Sequence, residues 1–150
     1  MSDKIQNNAA PCFMGEFCHA IDGKNRITIP SDWRFEEEVE LYLYPSTSHN
    51  CLRVMPRAEL NRIRAKADSM NDADRLAVMR SIGSRSRQVT LDKNGRFSLP
   101  EEFCKQFHFS GKVTLSGAVD AFEIWNTTEW NTSGATRKSV SNPLLAGFGL

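Results

Sequence analysis

The frame Asp, three residues, Arg, three residues, Pro occurs twice in this chain, as DGKNRITIP at residues 22–30 and DKNGRFSLP at residues 92–100, seventy positions apart. Few features constrain a fold more, because each copy places turn residues between two runs of alternating apolar character. Upstream of the first copy, FMGEFCHAID sets Phe17 and Ile21 on one face at the period of two expected of a strand. Upstream of the second, SRQVTL does the same work. Each copy therefore predicts a β-hairpin whose Asp accepts backbone N–H bonds across its own turn.

The repetition extends beyond the hairpins. After Pro30, SDWRF offers Ser31 or Asp32 as the cap of a short helical turn anchored by Trp33; after Pro100, EEFCKQF repeats it with Phe103 in the place of Trp33. VELYLYP and CLRVMP predict two more strands around the loop STSHN, and KVTLSG and FEIW are their counterparts. Between the halves, Pro56 opens a helix with Leu60, Ile63, Ala67 and Met70 at helical spacing. Asn71-Asp72 then caps a second helix, expected to turn Leu76, Met79 and Ile82 inward and to end at Gly83. The expected division is a flexible start over 1–12, a module over 13–55, a helical connector over 56–83, a second module over 84–130 and a flexible tail over 131–150. That tail ends in the apolar PLLAGFGL, either loose or docked on a neighbouring subunit.

A four-stranded unit of this size buries its apolar faces poorly alone, so such units pair, and here the partner is covalently supplied. The expected fold is α+β and β-rich, an intrachain pseudo-dimer whose hairpins are related by an approximate two-fold axis. No basic, apolar, small-residue leader is present, and no apolar run approaches the roughly 18 residues of a membrane span, so an intracellular protein is expected. The four cysteines, Cys12, Cys18, Cys51 and Cys104, lack zinc-ligand spacing, and no metal or other cofactor is expected.

The net charge of +1 hides a basic middle: residues 53–96 carry eleven Lys/Arg against five Asp/Glu. Helical positions Arg57, Arg62, Arg64, Lys66, Arg75 and Arg80 hold most of it and offer one nucleic-acid surface. The hairpin ends offer another, with Lys24, Asn25 and Arg26 on the first and Lys93, Asn94 and Arg96 on the second. The DNA major groove admits a β-ribbon, Arg and Lys bond guanine O6 and N7, and Asn addresses adenine or phosphate. Asp22 and Asp92, each four residues before an Arg, are expected to orient the guanidinium. The same pairing lowers a carboxylate pKa and works against general-acid duty; no nucleophile, phosphate-loop or zinc-protease motif accompanies it, so no enzyme and no small-molecule substrate are expected.

These residues together resemble the MraZ family of bacterial transcriptional regulators, built from two AbrB-like swapped-hairpin modules. The resemblance rests on GEFCHAIDGKNRITIPSDWRF, LYLYP and CLRVMP in the first half, and on VTLDKNGRFSLPEEF, VTLSG, FEIW and Trp130 in the second. It implies tandem swapped-hairpin β-barrel repeats and sequence-specific binding of double-stranded DNA at short direct repeats. It further implies a ring-shaped homo-oligomer, a cytoplasmic, nucleoid-associated location, and repression of a division and cell-wall gene cluster that includes the protein's own promoter. Carried over by position, the DNA-contacting motifs are Asp22 to Arg26 and Asp92 to Arg96, with Arg26 and Arg96 central. The first motif departs from the family in having Asn25 where Gly is usual, a residue that tolerates a left-handed backbone. An antitoxin-like interaction module of the same fold is the alternative.

Overall fold

The computed structural model describes residues 11–35, 39–134 and 143–150. Its strands are β1 (Glu16–Ala20), β2 (Arg26–Thr28), β3 (Glu40–Pro45), β4 (Leu52–Pro56), β5 (Arg87–Thr90), β6 (Arg96–Ser98), β7 (Lys112–Gly117) and β8 (Phe122–Asn126). Six form one antiparallel sheet in the order β1-β7-β8-β4-β3-β5, and β2 pairs with β6 in a second, two-stranded sheet. Advancing each strand by half the chain, β1 to β5 and so on, returns the same order read backwards. The exchange of hairpins follows from it: β1 lies on β7 and β5 lies on β3, so each half completes the other's sheet.

The registers obey the same symmetry. Leu52 opposite Ile124 exchanges with Val54 opposite Phe122, which leaves Arg53 opposite Glu123 on the pseudo-axis. In the small sheet Arg26 opposite Ser98 exchanges with Thr28 opposite Arg96, and Ile27 opposite Phe97 lies on the axis. Ile27 and Phe97 are both buried in a core to which both halves contribute. There Phe122 of the second half packs on Trp33 and Phe13 of the first, at ring-centroid distances of 4.9 and 5.2 Å. The β-rich α+β class with two repeated modules is thus the architecture of this chain.

The longer helices are α1 (Arg57–Ala67), α2 (Asp72–Arg85) and α3 (Glu101–Gln106), with short helical turns at Thr127–Glu129 and Pro143–Ala146. In α1, buried Glu59 accepts from Arg53 of β4 at 2.9 Å and from Arg62 at 2.6 Å, which pins the helix to the sheet. The Arg62 hydrogen bond first, and then Arg53, hold the Glu59 carboxyl below its usual range against the cost of burial. In α2, the Asn71 side chain caps the helix by accepting from Asp74 N at 2.9 Å.

Four details differ from the sequence expectations. Pro30 precedes the 3-10 turn Ser31–Trp33 and neither Ser31 nor Asp32 caps it, because the cap position is taken by Pro30, whose side chain has no acceptor. Met70 lies past the end of α1 and is exposed. Leu76 is 52% exposed, since α2 rests on α1 and the outer side of the sheet and buries none of its residues. Gly83 does not end α2, which runs to Arg85 and stops where Ser86 turns extended to enter β5. Most of the expected flexible start, residues 1–10, and the 135–142 part of the expected tail lie outside the described residues, while Pro143–Ala146 of the tail forms a short helix.

A shared core predicts shared unfolding. Phe97→Ala should cost about 3–5 kcal/mol, and tryptophan fluorescence and far-UV circular dichroism should report one coincident denaturation transition. Two separated transitions would contradict a core built jointly by both halves.

Candidate nucleic-acid interface

Each turn is built around its aspartate. Asp22 Oδ1 accepts from Lys24 N at 2.9 Å and Arg26 N at 2.8 Å, and Oδ2 accepts from Arg26 Nε at 2.7 Å. Asp92 repeats the set with Asn94 N at 2.8 Å, Arg96 N at 2.9 Å and Arg96 Nε at 3.2 Å. The Arg26 backbone N–H is the largest influence drawing the Asp22 pKa from the ordinary 3.8 to about 2, with the Arg26 guanidinium adding to it. Asp92 is lowered in the same way, first by the backbone N–H of Arg96. Both carboxylates are therefore favoured in their ionised form.

The orientation is specific. Each aspartate takes the Nε edge of its arginine, so the two terminal nitrogens have no hydrogen-bond partner among the described residues. Arg26 and Arg96 keep 32% and 33% of their side chains exposed, so neither is sealed from solvent. A guanidinium held by its Nε edge presents the paired donors that bond O6 and N7 of guanine.

The turns are also fastened to each other. Ile29 N donates to Gly95 O at 2.8 Å, and Leu99 N donates to Asn25 O at 2.7 Å, so each turn's fourth residue is bonded by the strand end of the opposite half. Asn25 and Gly95 both take a left-handed backbone, with φ of 58° and 73°. The first turn accommodates Asn in that conformation, and half-buried Asn25 serves the turn with its carbonyl. Lys24, Lys93 and Asn94 are exposed. The lysines are not equivalent by the repeat, since Lys24 matches Asn94 and Lys93 matches Gly23.

The basic helices are committed in part, with no ion pair for Arg64, Lys66 or Arg80 among the described residues. Arg57 pairs with Glu40 at 3.1 Å, Arg62 with Glu59, and Arg75 with Asp68 at 3.0 Å, while Arg85 lies over the Tyr44 ring. Among the described residues no three of His, Cys, Asp and Glu gather as metal ligands would. Cys12 and Cys18 are exposed thiols, Cys51 is buried and Cys104 is half-buried.

Sequence reasoning passed over Arg34. Its Nε and Nη2 donate to Ile29 O at 3.0 and 2.9 Å, and its side chain covers Gly95 closely enough that a Cβ there would stand 2.1 Å from Nε. The signal was present in the repeat: Arg34 matches Cys104, and Asn25 matches Gly95. Bulk on one side goes with a missing Cβ on the other.

The family model described as "MraZ protein, putative antitoxin-like" matches residues 12–80 and 84–145. The chain belongs to the MraZ family. Each matched stretch contains one Asp-to-Arg turn, in accord with the duplicated geometry. A curated relative from Clostridium tetani (strain Massachusetts / E88), named Transcriptional regulator MraZ, is 31% identical over 120 residues, 79% of this chain and 84% of the relative.

Two outcomes test the turn geometry. A carboxylate whose pKa falls on folding stabilises the protein above its unfolded value and loses that contribution as pH drops through its folded value. The Asp22 contribution should therefore be present above the ordinary carboxylate value of 3.8 and be lost as pH falls through about 2, and carbon-detected carboxylate titration should find the Asp22 midpoint well below 3.8. Gly95→Ala should cost about 1 kcal/mol or more through φ and the Arg34 contact, whereas Asn25→Gly should change stability by under about 1 kcal/mol in denaturant titrations.

Proposed function

We propose that this protein is a DNA-binding transcriptional regulator that reads duplex DNA with its two fastened turns. The observation that carries the reading is the pair of guanidiniums, Arg26 and Arg96, each anchored by its Nε edge and open at its far end. The family and the relative's name support it. On this reading Lys24, Asn25, Lys93 and Asn94 supply further contacts, Asp22 and Asp92 orient, and the helical connector 56–83 joins the two modules.

The proposal extends to assembly and targets. The chain forms a ring of identical subunits in the cytoplasm, associated with the nucleoid, and binds short direct repeats upstream of a division and cell-wall gene cluster that includes its own gene. Each subunit binds modestly, and several subunits on repeated sites gain by effective concentration. The outer side of α2, with Leu76 exposed, is a candidate contact between subunits. Among the described residues no helix is long and apolar enough to cross a membrane. Both turn carboxylates are held ionised by local donors, which works against general-acid duty at either turn.

One observation favours a second reading, an antitoxin-like interaction module. Near the end of the chain Phe148 and Leu150 are 81% and 85% exposed, an apolar surface a protein partner could cover. Deleting residues 143–150 separates the two readings. Loss of a protein partner with DNA binding intact supports the module; a change in DNA binding alone assigns the segment to the regulator.

Each bidentate guanidinium contact is worth about 1–3 kcal/mol, so Arg26→Ala/Arg96→Ala should weaken binding to DNA from upstream of the protein's own gene by about 30-fold or more. A scrambled duplex at the same salt serves as control, and oligomer size and circular dichroism should match wild type. Unchanged binding by an intact assembly would assign the turns to architecture alone.

A further inference from the structure

The two turns carry different surroundings, and the difference centres on a guanidinium outside both motifs. We propose that Arg34 is a phosphate-binding residue flanking the second turn only, so that one chain engages duplex DNA in one preferred orientation. The inference rests on the DNA-binding reading above and adds to it a residue and a polarity.

Arg34 is exposed and has no carboxylate within ion-pair distance among the described residues. Its guanidinium is nonetheless held, by two donors on the carbonyl of Ile29. The N–H of that same Ile29 donates to Gly95 O, so one residue ties Arg34 to the second turn. A cation fixed in this way loses little side-chain freedom on binding. Two of its nitrogens are already engaged, which leaves Nη1 as the least committed donor group. A phosphate oxygen can be met by a single donor and such contacts position a protein without reading sequence, whereas a guanine edge is read by paired donors such as the free ends of Arg26 and Arg96.

The polarity follows from the repeat. Each turn carries one Asp, one Lys and one Arg, so in charge the two are equivalent across the pseudo-axis through Ile27 and Phe97, although the lysines stand at non-matching positions. Arg34 breaks that equivalence. It fits over Gly95 because Gly95 has no Cβ. The matching positions are Asn25, which has one, and Cys104, which carries no cation. The second turn thus gathers Arg34, Lys93 and Arg96 against the Lys24 and Arg26 of the first. Glu36, Glu37 and Glu38 follow Arg34 in the sequence, outside the described residues, and stay unchanged in every test variant.

The test compares wild type, Arg34→Gln, Arg34→Lys and Arg26→Ala/Arg96→Ala as full-length chains, on the upstream fragment and a scrambled duplex, across a salt series. Neutralising one phosphate contact should lower the slope of log affinity against log salt by about one. Arg34→Gln should show that drop on both duplexes, with a several-fold loss of affinity at moderate salt, and Arg34→Lys should restore the slope. Hydroxyl-radical cleavage from a tether on the second turn should mark one end of each repeat for wild type and both ends for Arg34→Gln. An unchanged slope in a folded Arg34→Gln overturns the proposal, as does a loss confined to the specific duplex, which would make Arg34 a base reader. If Arg34→Gln unfolds, Arg34→Lys decides alone: it folds with the wild-type slope or the proposal fails. Should Arg26→Ala/Arg96→Ala bind like wild type, the underlying DNA-binding reading fails; should that variant lose binding while Arg34→Gln keeps its slope, only the role of Arg34 fails.

Discussion

The small β2–β6 sheet, with Ile27 against Phe97 on the pseudo-axis, is the contact on which the rest of the structure depends. It is only three residues long on each side, too short to be stable as an isolated ribbon. It persists because both central side chains are buried in a core completed by Phe13, Trp33 and Phe122. Because it joins the strands that leave the two turns, it also determines where those turns lie. Their proximity is a result of core packing, and the surface chemistry is built on it.

That arrangement separates stability from recognition. The apolar alternation of β2 and β6 faces the core, while the arginine opening each strand remains partly exposed with its Nε edge on an aspartate. Partly exposed ion pairs of this kind add little to stability. On the proposed DNA-binding reading their value lies in fixing a donor pair in space before DNA arrives, which reduces the entropy lost on binding. The connector uses the opposite device: Glu59 is buried between two arginines, where losing one partner would strand a charge. Similar ionic chemistry thus holds a helix in one place and leaves a donor group available in another.

Much of this was legible in the sequence, for physical reasons that can be named. The strands were readable because period-two alternation and turn residues coincide around Phe17, Ile21 and the Asp-led turns. The duplication was readable because the Asp, Arg and Pro of each frame are all demanded by the same geometry. The exchange of β1 and β5 between halves was implied only by family resemblance, since periodicity gives a strand's faces but not its neighbours. Leu76 misled because helical spacing identifies a stripe without saying whether anything covers it. Gly83 misled because a glycine can end a helix without being obliged to. Arg34 was missed because its importance depends on Gly95, sixty-one positions away, and becomes visible only when the two halves are compared residue by residue.

The central claim is that the two fastened turns form one DNA-facing surface. The most direct measurement is amide hydrogen exchange on the assembled full-length protein, with and without DNA from upstream of its own gene. Exchange should slow in peptides covering residues 22–29 and 92–99 together, with α1 and α2 little changed. Protection confined to residues 57–85, with both turns exchanging as freely as in the unbound protein, would contradict the account and move the DNA to the helices.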